Sequence, residues 1–311
     1  MRSIRQTKRH AFALAIVLWI VAALLFGTAM LASLSKDVQS LTRGVDHKLK
    51  TQIIAQDFLE HLKFYILTAD YTSDTLINNA LSDSFYKLPQ VLYVDGREYA
   101  LGEQILFSIT DTSMLVSMQG TNSPEIAYLA TNSDQRQLRF VIDDSIADWT
   151  DKDNVVSLNG AEASRYEQKN LKFTIRNDNA IQDISELKII NGMDYLSSEE
   201  WSALASYLYY GRGTQVNLGL LDSKRLAFVL KITKEKAESL IRLRESNFNE
   251  FILEVSEMKA FNDEAMGFFQ SKQYKITIVA KDADAKSVIE TLIDFKLTKE
   301  KLYTVVQFVM F

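Results

Sequence analysis

The 311-residue sequence predicts an α+β fold: a long N-terminal helix packed on an antiparallel sheet that a large helical insertion interrupts. Three observations lead there. An uncharged N-terminal stretch runs on into an amphipathic helix pattern. Strand-like runs occur on both sides of the middle of the chain, and helical signals fill the block between them. Two separate domains built from the same elements are the alternative arrangement.

The N-terminal element comes first. Residues Phe12 to Ser35 carry no charge, and a hydrocarbon core about 30 Å thick needs about 20 apolar residues at about 1.5 Å each. Arg2, Arg5, Lys8 and Arg9 precede the segment, and such basic flanks stay on the cytoplasmic side. The rest of the chain is therefore expected outside the cytoplasm. A cleaved signal peptide is the rival reading, with Gly27, Thr28 and Ala29 as a small-residue cleavage site; the apolar stretch exceeds the usual signal core. Beyond it, Leu34, Val38, Leu41, Val45, Leu49, Ile53, Phe58, Leu62 and Ile66 recur at helical steps. One helix is expected from Phe12 to about Ala69, half in lipid and half packed on a domain.

Short strand signals follow. Gln90 to Val94, a turn at Asp95 and Gly96, and Glu98 to Leu101 read as a hairpin, and Gln104 to Thr110 as a strand. From Ser123 to Arg244 helical patterns dominate, with starts at Asp183, Ser197 and Asp222 and a further helix over Lys234 to Arg244. Strands return at Phe251 to Val255, Tyr274 to Ala280, Val288 to Lys296 and Lys301 to Phe311.

Composition limits the chemistry. A net charge of −5 argues against nucleic acid, which demands a basic surface to displace counterions. Cysteine is absent, which removes the thiol nucleophile and permits an exported location. Of the three histidines, His47 and His61 lie fourteen positions apart on one helix, about 21 Å, too far to share a zinc ion. No phosphate-binding glycine loop is present, so no enzyme is expected. One carboxylate group stands out: Asp148, Asp151, Asp153 and Glu162. Counted from Asp151, the spacing imitates a calcium loop, yet Val156 occupies the position of the turn glycine. A looser oxygen-ligand calcium site and a loop of helix caps with solvated charges both fit these residues.

Taken in order, the same residues resemble the minor pseudopilin K subunit of the bacterial type II secretion system, as a divergent member. The resemblance rests on the basic leader before Phe12, the turn-strand Asp95 to Tyr99, and the acidic run Asp148 to Asp153. It continues through Asn159 to Glu162 with Tyr166, Glu186 and Leu187 with Gly192 and Met193, and Val216 to Leu218. Departures are Ala11 in place of the glycine before the prepilin peptidase site, Met114 to Gln119 in place of an asparagine-rich segment, and Leu218 to Leu220.

The resemblance implies a pseudopilin fold in the division 1–11 leader, 12–35 transmembrane helix, 36–119 and 250–311 pilin-like domain, and 120–249 inserted α domain. It implies cleavage between Ala11 and Phe12, N-methylation of Phe12, and calcium on the acidic run. Ile16 stands where joining subunits carry a glutamate. It further implies a tip position in the pseudopilus, an inner-membrane anchor with a periplasmic domain, and partnership with the I and J minor pseudopilins and other pseudopilins. An anchored periplasmic sensor or adaptor of another secretion or pilus machine is the alternative.

Overall fold

The computed structural model describes residues 3–78, 86–119, 122–168 and 181–311, with side chains described from Val17 onward. Helix α1 (Ser3–Thr68) is continuous for 66 residues, about 100 Å at 1.5 Å per residue. No proline interrupts it, and alanine and leucine, both strong helix formers, recur throughout its first half. Every side chain from Val17 to Asp46 is exposed. From Thr51 onward the helix acquires a buried face, in which Ala55, Phe58, Leu62, Tyr65 and Ile66 are sealed from solvent. The apolar stripe is thus one pattern with two environments.

Three short strands, β1 (Asp70–Tyr71), β2 (Thr75–Ile77) and β3 (Val91–Tyr93), form a small antiparallel sheet at the C-terminal end of α1. The Tyr65 hydroxyl holds it there by donating to the carbonyls of Pro89 (3.0 Å) and Gln90 (2.8 Å). Next come β4 (Asp95–Leu101) and β5 (Ile105–Asp111), after which the chain leaves the sheet.

The excursion contains β6 (Val116–Ser117), α2 (Ser123–Ala130), α3 (Arg136–Thr150), α4 (Ala163–Gln168), α5 (Ile184–Leu187), α6 (Ser198–Tyr207) and β7 (Leu208–Tyr209). These pack around Trp149, Tyr166, Ile142 and Leu204. A second core around Phe251, Leu226 and Leu240 gathers β8 (Val216–Asn217), α7 (Ser223–Leu230), α8 (Lys234–Ser246), α9 (Phe248–Ser256) and β9 (Met266–Gly267). A buried ion pair, Arg225 Nε to Glu125 Oε1 at 2.6 Å, joins α7 to α2 and so the two cores.

The chain then returns as β10 (Gln273–Asp282), β11 (Ala285–Asp294) and β12 (Thr304–Met310). The main sheet is antiparallel throughout, in the order β12-β11-β10-β5-β4. Ile276, Ile278, Ile289 and Ile293 point from it onto the buried face of α1. Exit and return lie side by side. The Asp111 carboxylate accepts from the amide of Ser113 (2.8 Å) on the way out, and from the amide (2.9 Å) and hydroxyl (2.6 Å) of Ser271 on the way back. The α+β architecture expected from the sequence, a long helix on an antiparallel sheet with an inserted helical block, is the architecture observed.

Two local readings are corrected. Residues 251–255 are not a strand but the body of α9, so the boundary between 249 and 250 falls inside a helix. The Asn247 side chain accepts from the Glu250 amide (3.2 Å) and starts that helix, and Phe251 and Val255 share its buried face. Asp95 and Gly96 do not turn a hairpin either. β3 pairs with β2 and β4 with β5, and Gly96 (φ 85°) sits where the β4–β5 register breaks. A Cβ there would come within 2.9 Å of the Thr110 hydroxyl, so glycine serves a bulge rather than a reversal.

Candidate metal site and assembly helix

The acidic site is built at the C-terminal end of α3. Trp149 anchors that end: its indole N–H donates to Glu186 Oε1 (2.8 Å) and its ring meets Tyr166 edge-on at 5.1 Å. With Trp149 fixed, its neighbour Asp148 is held fully buried. The Asp151 amide donates to the Ala147 carbonyl (3.0 Å) and closes the helix, which releases the Asp151 side chain into the following loop. That loop folds back on α3. The Ser157 amide donates to both oxygens of Asp148 (3.2 and 3.1 Å), and the amide and side chain of Asn159 donate to Asp144 Oδ2 (2.9 Å each).

Gly160 is required at the closest approach, because a Cβ there would run into the Asp148 carboxylate. Two residues later the chain buries Glu162, and neither of its carboxylate oxygens has a hydrogen-bond partner. Burial first, and then the carboxylates of Asp148, Asp151 and Asp153, push its pKa above the ordinary range.

Three of the four acids expected from the sequence converge. Asp148, Asp151 and Glu162 each offer an oxygen within 4.8 Å of the others. Asp153 does not join them: it is exposed and its carboxylate accepts from the Val155 amide (2.8 Å), which shapes the loop. Oxygens at about 2.4 Å from one centre lie no more than about 4.8 Å apart, so the trio fits a hard cation of calcium size. All three donors are carboxylates, a hard oxygen set of the kind that suits calcium, magnesium or manganese. Asp144 is not singled out by the sequence reading, and Gly160 enters it only within the Asn159 to Glu162 motif, without the role of clearing the Asp148 carboxylate. A signal for Asp144 exists, four residues before Asp148 on the same helical face.

The second functional element is α1. Its backbone is helical through Ala11, Phe12 and Ile16, whose side chains lie outside the described residues. Val17 to Leu34 are exposed and uncharged, long and apolar enough for the helix to cross a membrane. Val38, Leu41, Val45, Leu49 and Ile53 continue that exposed stripe outside the apolar segment. The helix meets the sheet abruptly. His47 Nδ1 lies 2.8 Å from Asp282 in the β10–β11 turn, Lys48 donates to the Lys286 carbonyl (2.6 Å), and Thr51 bonds Ser287 (2.7 Å). His61 is instead beside Asp57 (3.9 Å), so the two histidines serve different contacts.

A membrane-length helix whose far half backs an antiparallel sheet, enlarged by a helical insertion, defines the class as a pilin-like fold. Residues 122–208, which cover the insertion from α2 into β7, match the family described as Type II secretion system (T2SS), protein K. The fold matches a chain in the crystal structure of the GspK-GspI-GspJ complex from the enterotoxigenic Escherichia coli Type 2 Secretion System. That match has a TM-score of 0.57 and 13% sequence identity, over 89% of this chain and 98% of the other. No curated protein matches the sequence. The resemblance read from the sequence to the minor pseudopilin K subunit accordingly stands.

Proposed function

We propose that this chain is a K-type minor pseudopilin at the tip of a type II secretion pseudopilus, acting by assembly and not by catalysis. The observation that carries the reading is the division of α1. Its first half, with the stripe from Val38 to Ile53, is uncovered, while the insertion leaves the sheet at Asp111, at the end away from that half. Subunits can pack below on the bare helix, and the insertion obstructs stacking above. An apolar Ile16 fits the same place, since a chain with nothing ahead of it has no amino terminus to neutralise, and an unpaired acid in lipid is costly.

On this reading the prepilin peptidase cleaves between Ala11 and Phe12, and Phe12 becomes the methylated first residue. The basic flank stays in the cytoplasm, α1 anchors the chain in the inner membrane, and the sheet and insertion occupy the periplasm. The solved complex contains GspK, GspI and GspJ, so the expected partners are the I and J minor pseudopilins, with other pseudopilins below. Calcium held by Asp148, Asp151 and Glu162 would neutralise three crowded carboxylates and fasten the loop from Asp151 to Glu162 onto α3.

The test is purification of the full chain from membranes that also hold I- and J-type subunits, with the N-terminus read by mass spectrometry. Co-purification and a methylated Phe12 are expected. A retained Met1 with no partner bound overturns the reading in favour of an anchored sensor or adaptor.

A further inference from the structure

The main sheet ends in two unlike edges. β4 carries devices that keep an edge from recruiting another strand: the charges of Asp95, Arg97 and Glu98, and a register break at Gly96. β12 has neither charge nor proline from Thr304 to Phe311. Val305, Val306, Phe308, Val309 and Phe311 are 40–58% exposed on its two faces. Val288 and Phe311 exchange both backbone hydrogen bonds (2.8 and 3.0 Å). The alternation of an antiparallel ladder then turns Gln307 and Val309 toward β11, and the amides and carbonyls of Phe308 and Met310 outward. A row of outward backbone donors and acceptors flanked by apolar side chains is matched by an extended chain.

We propose that β12 is a strand-addition site that takes an extended, alternately apolar segment of a different pilin-like subunit, and not a second copy of this chain. The inference rests on the assembly reading above and names the surface through which it acts.

The anchor weighs against a second copy paired antiparallel, the pairing used throughout the main sheet. α1 runs opposite to β12: His47 meets the β10–β11 turn, Gln56 meets Met310 (3.7 Å), and Lys63 lies over Tyr303 (5.0 Å). Two β12 strands paired antiparallel are related by a two-fold axis normal to the sheet. Both α1 helices would then lie on one face and point in opposite directions, so their apolar halves could not enter the same membrane. An unlike subunit is free of that constraint. The Gln56–Met310 contact also joins the inner face of β12 to the part of α1 just past Leu49 and Ile53. A subunit that lays its helix on that stripe brings its sheet alongside β12. On the outer face, Gln307 and Val309 border a cavity of about 290 Å3 shared with Ala205, Tyr209 and Tyr210 of the insertion. Side chains of the added strand would enter there, which makes the choice of partner depend on the insertion.

Photo-cross-linking of the full chain, co-expressed with I- and J-type minor pseudopilins, tests this. A benzophenone amino acid replaces Phe308 on β12, Glu98 on β4, or Leu41 on α1. Cross-links to a pseudopilin are expected from positions 308 and 41, and none from 98. Cross-links from 41 without any from 308 overturn the strand-addition site and leave the assembly reading intact; silence at both positions removes both. A product joining 308 to a second copy, or to residues 169–180 of its own chain, also overturns the proposal. In parallel, Phe308→Pro removes an outward amide while sparing the bonds to β11. It should keep the wild-type melting temperature yet lower partner recovery roughly tenfold, as the loss of an edge hydrogen bond and a packed ring implies. Unchanged recovery of a folded Phe308→Pro chain counts against the site.

Discussion

Glu162 is buried without a hydrogen-bond donor, between two carboxylates that a cation could bridge. An unpaired buried charge destabilises a fold far more than the same residue neutralised, so the site has two predictable states. Without metal, Glu162→Gln should raise the melting temperature, by an amount on the order of 1–3 kcal/mol in stability. With calcium added, the wild-type chain should gain stability and the variant should gain much less. Thermal melts in chelator and in calcium check both halves; identical wild-type melts in the two conditions would remove the metal from the account. The acids themselves were legible in the sequence, because carboxylates at short spacing on both sides of a tryptophan announce themselves. Which three would meet was not, since that depends on Gly160 allowing the loop to close on Asp148 and on Asp153 turning outward to the Val155 amide.

Along α1, one sequence pattern carries two jobs. Leu62 is sealed against the sheet, whereas Leu41, on the same stripe, is 70% exposed. Leu62→Ala should therefore cost about 2–5 kcal/mol of unfolding free energy. Leu41→Ala should change stability by no more than about 0.5 kcal/mol while weakening recovery of partner subunits. Denaturant titration paired with co-purification separates the two effects, and equal destabilisation by both would contradict the division of the helix. Periodicity shows the stripe but not where its partner changes, because the spacing is the same whether a sheet, a lipid tail or another helix lies opposite. The same blindness explains the strand expected over Phe251 to Val255: a short apolar run fits either period, and the Asn247 cap decides it. Asp95 and Gly96 carry the signature of a tight turn, yet pairing with β5 makes them a bulge. The helix starts at Asp183, Ser197 and Asp222 are legible in the sequence, because there the deciding contact is local.

For the whole molecule, the junction between sheet and insertion depends on Asp111. Burial is the largest influence on its carboxyl and raises its pKa above the ordinary 3.8, against the lowering effect of its bonds to Ser113 and Ser271. The native state therefore holds a proton more tightly than the unfolded chain. The linked contribution is most favourable below 3.8 and declines as pH rises through the raised native value. The stability of wild type relative to Asp111→Asn should accordingly fall as pH rises from 3.8 through the raised native value. Urea titrations across that range check it, and parallel curves for the two proteins would contradict it.

That junction also bears on how such a chain could arise. Ser113 and Ser271 both bond one carboxylate, so more than 150 residues depart and return within the width of two neighbouring strands, β5 and β10. To the sheet, the helical block is topologically no more than a long hairpin loop. A block of this kind could be spliced into, or cut out of, a simpler helix-on-sheet scaffold between those two serines without altering a single rung of the β5–β10 ladder; the adjustments would fall on its side contacts, such as Leu220 in the sheet core and Asn217 on the Ser73 carbonyl.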